Sequence, residues 1–106
     1  MIDLHEIVAL SEQIAREFRP ERIILFGSYA RGGATDTSDI DLLVILRFRG
    51  SGISTATKIL QRVRPRFPVE LLVRTPERIR QRLAWNDFFL REIMETGKVL
   101  YESAHS

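Results

Sequence analysis

Apolar positions along this chain change period several times, and each change marks a boundary between elements. Leu4, Ile7, Val8, Ile14, Ala15 and Phe18 recur at helical spacing, with Asp3 and Glu6 early, where acids complement the helix dipole. They predict an amphipathic helix over 2–18, ended at Arg19-Pro20 because proline disfavours helical geometry in the residue before it. Ile23-Ile24-Leu25-Phe26 is a short continuous apolar run closed by Gly27, the pattern of a buried strand. Ser28 to Arg31 begins a short helix, and Gly32 to Ser38 is loop by composition. Ile40 to Leu46 reads as a second strand with carboxylates only at its entrance, and Arg47 to Gly52 as a connection. A helix then runs from Ile53 to Val63 on Ile53, Ala56, Ile59, Leu60 and Val63, before Pro65 and Pro68 stop it. Val69 to Val73 is a third strand. Thr75-Pro76 supplies a cap and a first helical residue for a helix through Leu83. Asn86 or Asp87 caps a last helix carrying Phe89, Leu90, Ile93 and Met94; Gly97 stops it, and Lys98 to Tyr101 forms a final short strand.

This order predicts an α/β (α+β) fold, in which helices cover a small mixed β-sheet. The lack of a full helix between the first two strands suggests that they pair like a hairpin. At 106 residues the chain fits one domain, 1–106, with no room for a second core.

Composition narrows the chemistry. With 44% hydrophobic and 28% charged residues the chain is globular in type, neither disordered nor membrane-spanning. No apolar run approaches a transmembrane helix and the N-terminus lacks the basic start of a secretory signal, so a cytoplasmic location is expected. There is no cysteine, and the two histidines, His5 and His105, stand far apart, so any metal should be hard and oxygen-bound. Arg47 to Arg82 holds ten basic residues against two acids, and the remainder six against twelve. Such a cationic segment attracts nucleic acid, polyphosphate or an acidic protein face, although long arginines also simply cover apolar surface. Only Phe48 and Phe67 interleave with it, so nucleic acid is a partner the composition allows but does not favour.

The residues suited to chemistry are few. Asp39 and Asp41 flank Ile40, so on a strand they face the same side with Cα atoms about 6.5–7 Å apart. Carboxylates at the mouth of a buried strand need solvent, a partner or a cation, and magnesium satisfies them while keeping positions open for phosphate oxygens. By itself Asp-x-Asp is more often a solvated strand entrance. Gly27 permits close backbone approach, Ser28 offers a hydroxyl with backbone N–H groups suited to phosphate, and Arg31 follows within a turn. Glu70 interrupts the apolar run Val69 to Val73 and is therefore exposed or purposeful. If the third strand lies beside the second, Glu70 reaches the same edge as Asp41. Three such acids can hold two magnesium ions about 3.5–4 Å apart, and Glu70 can take a proton from an attacking hydroxyl.

Gly27-Ser28-Tyr29-Ala30-Arg31-Gly32, then Ser38-Asp39-Ile40-Asp41-Leu42, then an acid in a later strand resembles the DNA polymerase beta-like nucleotidyltransferase superfamily, in its minimal nucleotidyltransferase branch. The similarity covers nearly the whole chain. It implies the polymerase beta-like fold, with Gly27 and Ser28 as the phosphate-binding pair, Arg31 beside them, Asp39 and Asp41 as the metal-binding pair, and Glu70 as the third acid. Catalysis would then rest on Asp39, Asp41 and Glu70, with two Mg2+ ions and ATP as substrate. Glu70 departs from the family, where aspartate is more typical. The resemblance also implies a partner: members of this branch often serve as antitoxins to HEPN-domain RNase toxins, some by adding AMP from ATP to a toxin tyrosine and others by binding.

Three functions follow as expectations. The first is Mg-dependent transfer of AMP to a hydroxyl of a HEPN-type toxin within a hetero-oligomer, because a chain this short shows no lobe for the acceptor. The second is a binding antitoxin with a weak site, and the third is nucleotidyl transfer to a small molecule or an RNA end. Trp85, Phe88 and Phe89 cluster near a helix start, either as interface anchors or as core; Phe89 is assigned to the core and Trp85 left open.

Overall fold

The structure is a computed structural model and describes residues 1–104; His105 lies outside the described residues. Helix α1 (Leu4–Phe18) starts where the Asp3 carboxylate accepts from the His5 N–H, and ends where Arg19 turns left-handed at φ 51° ahead of Pro20. Strand β1 (Arg22–Phe26) is followed by a single helical turn, α2 (Ser28–Arg31), and then by β2 (Ile40–Ile45). Helix α3 (Gly52–Val63) leads to β3 (Val69–Arg74), two helices follow, α4 (Pro76–Ala84) and α5 (Phe88–Thr96), and β4 (Lys98–Glu102) closes the described fold. Helix α4 begins as its sequence dictates, with Thr75 Oγ1 accepting from the Arg78 N–H at 3.1 Å and Pro76 where no amide partner is needed. Thr75→Ala is expected to cost about 1 kcal/mol and to lower the melting midpoint by roughly 4–8 °C. An unchanged thermal melt would show that the cap contributes nothing.

The sheet order is β3-β2-β1-β4. β1 runs antiparallel to both β2 and β4, while β2 and β3 are parallel across the α3 crossover. The hairpin-like first pair is thus present. Alternation along the strands sends Ile23, Leu25, Ile40, Leu42, Val44 and Val73 to one face, which α1 and α3 cover with Ile7, Leu10, Ile14, Ile59 and Val63. Ile24, Leu43 and Ile45 point to the other, where Ile79 of α4 and Leu90 and Ile93 of α5 meet them. This second layer is thinner. Glu70 and Leu72 share its side of β3, and Glu70 is exposed.

Three expectations are refined here. Phe89 is not core: it is 55% exposed, because the buried stripe of α5 runs through Leu90 and Ile93, and a neighbour one residue away points about 100° around the helix. Of the two candidate caps for α5, Asp87 accepts from the Leu90 N–H, while Asn86 takes a left-handed turn at φ 64°. That hydrogen bond, then the Arg82 guanidinium, holds the Asp87 carboxyl below its ordinary range. Gly97 does end α5, but in extended conformation; a Cβ there would lie 2.5 Å from both Ile24 Cγ2 and the Ile93 carbonyl oxygen. Among the described residues, no helix is long and apolar enough to cross a membrane.

Candidate active site at the β1–β2–β3 edge

Register places the candidate residues. Phe26, Asp41 and Glu70 are cross-strand partners in one row, Phe26 opposite Asp41 on the antiparallel side and Asp41 opposite Glu70 on the parallel side. Partners in such a row project to the same face, so the adjacency of β2 and β3 delivers Glu70 to Asp41. Asp39 lies just before the first residue of β2 and is exposed. Its neighbour Ile40 is already tied to β3, since its N–H donates to the Pro68 carbonyl at 3.1 Å.

Electrostatics show how closely these acids interact. The Asp41 carboxyl is pushed up to about 6, first by burial, then by a hydrogen bond and like charge from Glu70, and further by Asp39, against the opposing charge of Arg31. Glu70 therefore stands close enough to Asp41 to hydrogen-bond with it and to disfavour its charge. Gly27 follows Phe26 and meets Asp41 from the β1 side. It adopts φ 75° and ψ −153°, and a Cβ built on it would stand 2.3 Å from Asp41 Oδ2, so the carboxylate occupies the space a side chain would need. Ser28 opens α2, and the Ala30 and Arg31 N–H groups donate to the Gly27 carbonyl.

The arrangement brings together Gly27, Asp41 and Glu70 and leaves Asp39 and Arg31 within electrostatic reach. Among the described residues, no group of three or more His, Asp or Glu side chains stands arranged to hold a metal ion. The donor chemistry nevertheless fits a hard divalent cation. All the donors are carboxylate oxygens, Gly27 leaves room at Asp41, and a cation would relieve the repulsion that raises the Asp41 pKa. Sequence reasoning passed over Phe26, the third member of the row, whose ring meets Phe89 of α5 edge-on with centroids 5.9 Å apart. Its only signal was its place at the end of the strand, immediately before Gly27.

Residues 7–100 match the nucleotidyltransferase domain family. The chain belongs to this family. The domain is similar to a putative protein adenylyltransferase of Methanocaldococcus jannaschii, with 38% identity over 85 residues, covering 78% of this chain and 80% of the relative. Among solved structures it is similar to a putative nucleotidyltransferase from Sulfolobus solfataricus, with a TM-score of 0.57, 29% identity and coverage of 70% of this chain and 68% of the other. A crystal structure of a toxin–antitoxin with AMP-PNP superposes with a TM-score of 0.57 at 23% identity, over 92% of this chain and 75% of that one. The fold of this nucleotidyltransferase domain is the polymerase beta-like one.

Several basic residues of the cationic segment are paired locally. Arg47 pairs with Glu77 at 2.8 Å, Arg62 with Glu17 at 3.5 Å and Arg82 with Asp87 at 2.7 Å. Arg78 lies over the Trp85 ring at 5.7 Å, and Arg74 donates to its neighbouring Val73 carbonyl. Part of that charge is therefore matched by local acids, which agrees with the solvated-surface reading of the segment.

Proposed function

We propose that this domain, acting as a single minimal nucleotidyltransferase unit over 1–106, transfers AMP from ATP to a hydroxyl of a partner protein and so serves as an antitoxin. The acceptor we favour is a tyrosine of a HEPN-type RNase toxin. The observation that carries the reading is the convergence of Gly27, Asp41 and Glu70, in which a side-chain-free backbone position abuts a carboxylate that is itself coupled to a second acid. The name of the M. jannaschii relative supports transfer to protein, and the AMP-PNP-containing toxin–antitoxin structure agrees with a nucleotide site in a protein complex.

In this reading Gly27 and Ser28 accept the terminal phosphates of ATP and Arg31 pairs with them. Asp39, Asp41 and Glu70 would hold Mg2+, which when bound supplies charge neutralisation on the phosphates and on the departing pyrophosphate. Glu70 takes the proton of the acceptor hydroxyl. The hydroxyl oxygen forms a bond to the α-phosphorus as the bond from that phosphorus to the bridging oxygen breaks, and pyrophosphate leaves with the electron pair. Little covalent work falls to the protein, so positioning and electrostatics carry the rate.

The test is transfer of label from α-labelled ATP to a HEPN-type partner protein, with Mg2+ present. The wild-type domain is expected to label it. An inactive wild type under those conditions would sink the proposal. Glu70→Gln, which keeps size but not basicity, is expected to slow transfer by roughly 10²–10⁴-fold at unchanged fold. A near-normal rate in that variant would move the proton to another group.

A second reading, a binding antitoxin with a slow site, is favoured by one observation: the three acids do not stand as a ready metal cluster among the described residues. It expects the double variant Asp39→Ala, Asp41→Ala to neutralise the partner fully. Loss of neutralisation in that variant excludes it.

A further inference from the structure

Resting on the nucleotide site proposed above, we infer that the nucleoside half of the substrate lies over the mouth of the narrow cleft between β1 and α5, which at about 30 Å³ is too small to enclose it, with its base stacked on the exposed ring of Phe89. One side of this cleft is lined by Phe26, Gly27 and Arg31 and the other by Phe89, Glu92 and Thr96. Gly27 and Arg31 thus border both the phosphate end of the site and this cleft, so a nucleotide anchored at Gly27 has the cleft beside it.

The lining suits a nucleoside and not a second phosphate group. Phe89 is 55% exposed although its ring already meets Phe26 edge-on at 86°, which leaves aromatic surface open beside the cleft. Bases stack on such surfaces whatever their hydrogen-bonding edges, and larger purines gain most contact. Glu92 adds an exposed carboxylate that repels phosphate and accepts from hydrogen-bond donors, which a nucleoside presents as ribose hydroxyls and, in adenine, an exocyclic amine. Thr96 cannot compete for that carboxylate, because its hydroxyl donates to the Glu92 main-chain carbonyl at 2.8 Å. The placement gives Phe89 a reason to be exposed, and it makes α5 the element that holds the nucleoside.

Titration calorimetry with Mg2+ present tests this, using ATP as the probe of the whole nucleotide and inorganic tripolyphosphate as the probe of the phosphate end alone. Phe89→Ala and Glu92→Ala are each expected to weaken ATP binding, about tenfold for Phe89→Ala, while leaving tripolyphosphate binding unchanged. Phe89→Trp is expected to retain ATP affinity, and the wild type to prefer ATP and GTP over CTP and UTP. Parallel loss of both probes in Phe89→Ala would overturn the inference, since Phe89 would then only prop the site. So would wild-type ATP affinity in that variant, including the case in which transfer to the partner alone is lost and Phe89 is a protein contact. A wild-type domain that binds neither probe would instead overturn the nucleotide site itself.

Discussion

Asp41→Asn is expected to reduce transfer of AMP by about 10³-fold or more and, at the same time, to raise the melting midpoint of the metal-free domain at pH 8. Both effects come from one side chain. Asp41 is a shared neighbour of Gly27 and Glu70, so the amide removes the charge through which a cation and the phosphates would be held, a term of several kcal/mol. The rise in stability follows from linkage. The Asp41 carboxyl titrates near 6 in the folded domain against an ordinary value of 3.8, so between those values the folded state keeps a proton that the unfolded chain releases. Stability from this group is fully present below about 3.8 and is lost as pH rises through 6. Above that, the ionised Asp41 faces Glu70 and Asp39 at a cost which its partial exposure to water reduces but does not remove. The amide escapes the cost. Melts of wild type and Asp41→Asn should therefore differ at pH 8 and converge at pH 4, and added Mg2+ should raise the wild type but not the variant. An Asp41→Asn domain that still labels its partner at the wild-type rate, or that melts below wild type at pH 8, contradicts this account.

A side chain that destabilises the metal-free fold is easiest to understand as retained for chemistry, and that conflict was already visible in the sequence. Asp39 and Asp41 stand at the entrance of an otherwise apolar strand, and Glu70 interrupts another such run. The period of two placed Asp39 and Asp41 on one side of the chain, and only the position of β3 remained to be known. Parallel pairing through α3 supplied it, putting Glu70 opposite Asp41. Other features had no local signature. β4 is an edge strand with Lys98 and Val99 exposed, and nothing in its five residues says that it flanks β1 and not β3. Phe89 misled because an aromatic residue beside Leu90 and Ile93 fits a core stripe in composition. α5 is only nine residues long and buries a narrow one. Phe88 at 76% and Trp85 at 62% exposure lie outside that stripe as well, so the short second layer, not the sequence pattern, decides where the aromatics go. Exposure does not by itself assign them a partner.

Gly27→Ala is expected to damage the domain more than any other single-methyl addition near the site. Gly27 sits at φ 75° and ψ −153°, a region that residues with a Cβ enter at a cost of roughly 1–3 kcal/mol. That alone predicts a fall of about 5–20 °C in the melting midpoint. The new methyl would also stand 2.3 Å from Asp41 Oδ2, a contact that only displacement of the carboxylate can relieve. Asp41 would then turn away from Gly27 and the row would lose its alignment, so nucleotide binding should fall further than the loss of stability explains. Calorimetry below the melting transition separates the two effects, because a fold that is intact but weakened binds ATP normally once it is cold. Gly33→Ala provides the control: a Cβ there meets nothing within 4 Å, and the change should be neutral to about 0.5 kcal/mol. If Gly27→Ala instead binds ATP and transfers AMP as the wild type does, the contact between Gly27 and Asp41 is incidental. The phosphates would then have to be held elsewhere.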